Sequence, residues 1–137
     1  MTVLFDTLPP SGVEMLVAWL SPLGAAAGER KAGDPLPFWM VSRVAGPDDK
    51  ITDHGTFSVH SMAETLVEAE DQALLAHRRI LALGPPLAPQ RRVTISGGRM
   101  VFADMVMTDL FPRYEYYSDT IRRYIARYDI DLRFVPV

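Results

Sequence analysis

Three histidines, a few acids and one serine beside glycines are the residues of this chain from which chemistry could be built. His54 sits between Asp53 and Gly55, and an Asp–His pair has the residue types of a general base and its orienting carboxylate. Sequence neighbours in a loop rarely face each other productively, so the spacing predicts a solvated loop here. His60 is expected on the exposed face of a strand and His77 as a cation near a helix C-terminus. The histidines do not fall at a metal-binding spacing. The chain has no cysteine, which removes disulfides, zinc–thiolate sites, iron–sulfur clusters and a cysteine nucleophile. Thr94-Ile95-Ser96-Gly97-Gly98 is not a Gly-x-Ser-x-Gly elbow, and no Lys-Ser/Thr follows the glycines to make a phosphate loop. Asp48, Asp49 and Asp53 lack the alternating acids and closing Glu of a calcium loop. The expectation is a chain with no cofactor, no metal and no enzymatic activity.

The segment Phe111-Pro112-Arg113-Tyr114-Glu115-Tyr116-Tyr117 has a different character. Tyr and Arg are enriched where proteins touch, because they bury area and keep a polar handle. The alternative is that these rings pad a small satellite core beneath a loop. Arg122 and Arg123 follow closely and could pair with an acidic neighbour such as the Asp48-Asp49 loop of another subunit, although a solvated charge pair is the commoner outcome. The candidate interface is therefore Asp48, Asp49, Lys50, Asp53, Phe111, Arg113, Tyr114, Tyr116, Tyr117, Arg122 and Arg123.

The elements that must position these residues follow from periodicity. Ser11 to Leu20 reads as a short helix with Ser11 as N-cap and Glu14 at the capping-box spacing. Gly24 to Pro37 reads as a loop. Phe38 to Val44 and Thr56 to Met62 read as two strands of a hairpin, with Phe57 and Val59 on one face and Ser58 and His60 on the other. The stretch Ala63 to Leu83 predicts a long helix capped by Thr65 or Ser61, acidic in its first half and basic in its last turns. Leu66, Ala69 or Glu70, Ala73, His77 and Ile80 trace one side of it, and Val67, Leu74 and Leu81 form a neighbouring row. Val93 to Ser96 and Arg99 to Met107 predict a hairpin turning on Gly97-Gly98, and Asp109 to Asp119 a loop. Ile121 to Phe134 is a strand by strict alternation. Tyr124, Ala126, Tyr128, Ile130 and Leu132 are placed on the core side, and Arg123, Arg127, Asp129 and Arg133 on the other, with Ile125 breaking the polar set. The fold class expected is α+β. It comprises a largely antiparallel sheet of about four strands plus a small hairpin, with two helices packed on one face.

Composition agrees with one ordinary domain over residues 1–137. Hydrophobic residues form 48% of the chain, enough for a core and too many for disorder. The net charge of −3 argues against a domain that grips nucleic-acid phosphates. Met1 to Leu8 carries Asp6 and no basic run, unlike a signal peptide, and no apolar run approaches the roughly 20 residues of a membrane span.

Four stretches in order carry a resemblance. They are Leu36-Pro37-Phe38-Trp39-Met40-Val41-Ser42-Arg43-Val44-Ala45-Gly46; Ile51-Thr52-Asp53 leading into Val59-His60-Ser61-Met62-Ala63; Glu68-Ala69-Glu70 running to His77-Arg78-Arg79-Ile80-Leu81; and Ile121 through Arg133. With the opening helix at Met15 to Leu23, the chain resembles the tail terminator, or tail-completion, proteins of long-tailed siphophages, especially those of actinobacteria. The resemblance implies a structural virion protein at the head-proximal end of the tail, assembled in the host cytoplasm. It implies a homohexameric ring that caps the finished tail tube and offers a head-joining surface. Its partners would be its own copies, the major tail tube protein and the head–tail connector or neck proteins. Phage DNA would pass through the lumen without sequence-specific binding, and no membrane would be involved. Related neck and head-completion proteins share a similar layout. The competing expectations are a small enzyme or ligand binder with Asp53 and His54 at its rim, and an adaptor that binds a peptide by strand addition.

Overall fold

The computed structural model describes residues 12–31, 33–45 and 53–134. The chain enters through helix α1 (Gly12–Leu20), then forms β1 (Ala26–Ala27), β2 (Phe38–Ala45), β3 (Asp53–Ala63), helix α2 (Leu66–Leu81), β4 (Val93–Thr94), β5 (Met100–Tyr114) and β6 (Arg122–Phe134). The strands make one curled sheet in the order β1-β2-β3-β6-β5-β4. The pairing of β1 with β2 is parallel and every other pairing is antiparallel. The expected α+β class therefore holds, with four long strands. The predicted small hairpin is there in β4 and β5. What sequence missed is β1, a two-residue ladder inside the stretch read as a loop.

Both helices cover the same face of the sheet, where one continuous core forms. Phe57 lies opposite Tyr128 and Val59 opposite Ala126 across β3 and β6. Met15, Leu16 and Leu20 of α1 and Ile80 of α2 close over them, all fully buried. Each such side chain contributes on the order of 1.5–3 kcal/mol by leaving water. The start of α1 comes close because it is a glycine. A methyl group on Gly12 would stand 2.0 Å from Cζ of Phe57, and one on Gly55 2.5 Å from the same ring, so the ring is clasped between two residues without side chains.

Helix α2 begins where Thr65 adopts an extended conformation and its Oγ accepts a hydrogen bond from the Glu68 amide at 3.2 Å. This is the N-cap role expected of Thr65. The helix turns Ala69, Ala73, Ala76 and Ile80 to the core. Three alanines in that row let the helix lie close to the sheet. The row Val67, Leu74, Leu81 flanks it, and Val67 is 72% exposed. The two helices are locked by one reciprocal contact. Trp19 Nε1 donates to the Arg79 carbonyl at 2.6 Å, Arg79 Nε donates to the Trp19 carbonyl at 2.9 Å, and the guanidinium lies 3.7 Å over the indole.

Several expectations change. Strand β3 starts at Asp53 and ends at Ala63, so His54 and Gly55 belong to a ladder with β6 instead of a loop. Ala63 is thus not helical, and α2 is shorter than expected at both ends. The stretch Asp109 to Tyr114 is also strand, since β5 continues to Tyr114 through three register shifts. Each shift absorbs one extra residue as a bulge, and Pro112 falls within the last of them, where a missing amide breaks no ladder bond. The glycine turn holds: Gly97 and Gly98 both have positive φ, at 77° and 73°. In β6, Tyr128, Ile130 and Leu132 are buried as expected, while Tyr124 is half-buried at the margin of the core. Ile125, on the face away from the helices, is also buried at 5% exposure. Ser11, the expected cap of α1, lies outside the described residues. Among those residues no helix is long and apolar enough to cross a membrane.

Candidate functional site

The candidate residues from Phe111 onward converge on one end of the molecule. Phe111, Arg113 and Tyr114 stand on the last part of β5, Tyr116 and Tyr117 on the turn that follows, and Arg122 and Arg123 on the start of β6. The β5–β6 ladder brings the two ends of this hairpin together, pairing Tyr114 with Tyr124 and Arg113 with Ile125. The rings of Tyr114 and Tyr124 meet edge to face with centroids 6.2 Å apart. The Tyr124 hydroxyl donates to Glu70 Oε2 of α2 at 2.9 Å, and that hydrogen bond to a carboxylate raises its pKa.

Arg123 organises the turn. Its Nη2 donates to Glu115 Oε1 at 2.8 Å and to the Tyr116 carbonyl at 3.2 Å, while its guanidinium stands 5.1 Å from the Tyr117 ring centroid. The arginine side chain is only 14% exposed. The backbone adds an Glu115 amide to Arg123 carbonyl bond at 3.0 Å. Further round the turn, Ser118 Oγ accepts from the amide of Ile121 at 3.0 Å, and Tyr116 donates to Asp119 Oδ1 at 2.9 Å. That bond to Asp119 raises the Tyr116 pKa. The turn is thus tied at both ends, yet its rings face water. Phe111 and Tyr116 are each 60% exposed, and Tyr114 and Tyr117 are 42% and 45% exposed. Leu66 at the start of α2 lines the same end, and its exposed neighbour Val67 follows on the helix. Between them lies a cleft of about 560 Å³ lined by Glu64, Thr65, Leu66, Tyr114 and Arg122.

One of the sequence readings is corrected here, that of His60. Arg123, which could pair with the acidic loop of another subunit, bonds Glu115 within the chain, because the tight connection places that carboxylate beside it. Arg122 keeps its place in the cleft. His60, expected on an exposed face, is half-buried beneath this turn: Arg123 Nη1 lies 3.4 Å from its Nδ1, and its Nε2 lies 3.0 Å from Ser58 Oγ. Burial, then the charge of Arg123, lowers the His60 pKa. A Ser–His contact invites comparison with nucleophilic catalysis, where a carboxylate fixes the far ring nitrogen as a donor. Here a guanidinium stands at that nitrogen and makes it the acceptor. Ser58 is itself 1% exposed. The Arg123–His60 contact links β6 to β3, and the Ser58–His60 contact lies within β3.

The other histidines also take structural roles. His54 Nδ1 lies 2.8 Å from Oδ1 of Asp131, directly across the ladder. His77 is not the helix-terminal cation expected. Its Nδ1 lies 2.8 Å from the hydroxyl of buried Tyr128, and its ring meets Phe111 edge to face at 5.0 Å. Burial lowers the His77 pKa and raises that of Tyr128, so burial disfavours the charged form of both partners. Among the described residues no group of three or more His, Cys, Asp or Glu could hold a metal ion.

Of the other candidate residues, Asp48, Asp49 and Lys50 lie outside the described residues. Asp53 opens β3 opposite Leu132. Sequence reading missed Leu66, Val67, Glu70 and Tyr124, which share the aromatic end only because α2 packs against β5 and β6. The one signal for Val67 was its place on a row beside the core row of α2. No protein-family model and no curated protein matches the chain.

Proposed function

We propose that this chain is a structural subunit of a bacteriophage virion that forms a ring on the completed tail tube, stops its growth and presents the surface to which the head joins. The observation that carries the reading is the aromatic end. Four large rings stand 42–60% exposed on the end of β5 and the turn after it, and bonds from Arg123 to Glu115 and from Tyr116 to Asp119 hold that turn within the chain. Exposed rings held in place lose little side-chain entropy on contact, which is the condition for an interface hot spot. The ordered resemblance of four stretches to tail terminator proteins supplies the biological setting.

In this reading the protein is not an enzyme and needs no cofactor. Its partners are copies of itself, in a hexamer, the major tail tube protein on one side and the head–tail connector on the other. Capping requires the ring to occupy the face where the next tube subunit would add. DNA passes through the lumen, and the net charge of −3 suits a wall that does not hold phosphate.

Deletion of the gene from a phage tests the reading. Heads and tail tube should still form, with unattached heads beside tails of uncontrolled and often excessive length in electron micrographs. Uniform, head-attached tails in the deletion lysate would rule out the terminator role and leave a neck or accessory role.

A further inference from the structure

The aromatic end has a counterpart at the other end of α2. After the helix, the segment from Gly84 to Arg92 folds back on the sheet edge and is fixed there. The Val106 amide donates to the Pro85 carbonyl at 2.7 Å, the Arg91 amide to the Leu83 carbonyl at 3.1 Å, and Gln90 Nε2 to Asp104 Oδ1 at 2.9 Å. Gly84 lets the two backbones touch, since a methyl group there would stand 2.8 Å from the Ala103 carbonyl oxygen. At the tip Leu87 is 73% exposed, and Pro86, Pro89, Arg91 and Arg92 around it are exposed too. This is an anchored apolar knob followed by two cations.

The cleft at the opposite end has the complementary make-up. Leu66 and Tyr114 give it apolar walls, and Glu64 lines it along with the single cation Arg122. Beyond the Tyr114–Tyr124 pair it continues into a second hollow of about 280 Å³ lined by Glu70, Leu74, Phe111, Pro112 and Tyr124. Glu70 is exposed, as is Asp71 on the next position of the helix. Knob and cleft are separated by the 16 residues of α2, about 24 Å of rigid helix. They cannot meet within one chain.

We infer that the Pro86–Arg92 knob of one copy seats in the aromatic cleft of the next, with Leu87 between Leu66 and Tyr114 and Arg91 and Arg92 against Glu64 and Glu70. Two different patches of one subunit then meet head to tail, a heterologous contact that builds closed rings or open filaments instead of two-fold dimers. The contact rests on the ring reading above and gives it an interface. It is also consistent with the defended edge of β5, where three bulges and Pro112 discourage pairing strand to strand.

Because the chain has no cysteine, the contact can be trapped directly. Purified Leu87→Cys and Tyr114→Cys chains are treated with a short bismaleimide, separately, mixed, and with both cysteines in one chain. The mixture should give covalent dimers and the double variant a ladder or closed ring, with neither single variant cross-linking to itself. Charge reversal provides a second arm. Arg91→Glu/Arg92→Glu and Glu64→Arg/Glu70→Arg should each weaken self-association by at least tenfold in sedimentation, and mixing the two variants should restore it. Self-linking of Leu87→Cys alone, or oligomers that form without the mixed cross-link, overturns this contact while leaving a ring through other surfaces. A wild-type chain that stays monomeric up to millimolar concentration also overturns it, and leaves the capping role to be decided by tail length in the deletion phage. Equal weakening by both charge variants without restoration on mixing shows that the charges do not face each other and overturns the pairing.

Discussion

The helix-covered face of the sheet and the aromatic end use the same residue types to opposite ends. On the covered face, Trp39, Phe57 and Tyr128 are at most 1% exposed, and their polar groups turn inward. Trp39 Nε1 donates to the Gln72 carbonyl at 3.2 Å, and Tyr128 bonds His77. At the aromatic end, the hydroxyl of Tyr116 and the guanidinium over Tyr117 instead fix rings that water still reaches. The difference lies in what surrounds each backbone. Core positions under α1 and α2 such as Phe57 and Ile130 are fully buried, whereas among the described residues no helix or strand covers the rings of the connection after β5. A ring held rigidly in water has area to bury against a second molecule, and a ring in the core does not.

Substitutions should separate the two regions, with the core giving the largest losses. Tyr128→Ala removes a buried ring and leaves His77 without its partner, so unfolding by denaturant should show a loss of about 3–5 kcal/mol. An intact midpoint would mean that the ring is not in a packed core. Gly12→Val pushes side chain into the Phe57 ring and should cost about 1–3 kcal/mol, since a close-packed site cannot make room without moving α1. Arg123→Met lies between the regions. It unties the turn from Glu115, and because that carboxylate is 44% exposed, screening keeps the expected loss near about 1 kcal/mol. Its clearer readout is faster amide exchange over residues 115–121, with the start of β3, away from His60, unaffected.

Acid should act through two half-buried histidines, His77 beside the covered core and His60 beneath the turn. Both His60 and His77 have pKa values lowered below the ordinary 6.5. The unfolded chain therefore takes up their protons first as pH falls. The stabilisation is complete above the unfolded pKa and is lost as pH drops through the folded values. Stability should decline below about pH 6.5, and His77→Gln should flatten part of that decline. A profile unchanged by this substitution would remove His77 as a cause.

The strands and helices were legible because their periods are clean. Tyr128, Ile130 and Leu132 alternate with Arg127, Asp129 and Asp131, and only one register buries the first set. Thr65 was legible as a cap for the same local reason. The end of β5 was not, because bulges break the period of two and Pro112 imitates a loop. The roles of His77 and Arg123 were hidden more deeply. Each is decided by a partner that only tertiary structure brings near: Tyr128 is 51 positions away from His77, and His60 is 63 away from Arg123. The aromatic end was visible as composition, but its second wall on α2 was not.

The smallest expected effect on folding is the most telling for function. Tyr116→Ala/Tyr117→Ala should leave stability within about 0.5 kcal/mol, since exposed side chains have little to lose. Introduced into the phage, the same pair should yield free heads and tails of irregular length in electron micrographs of the lysate. Head-attached tails of uniform length from a folded double variant would contradict the claim that this end of the molecule is built for assembly.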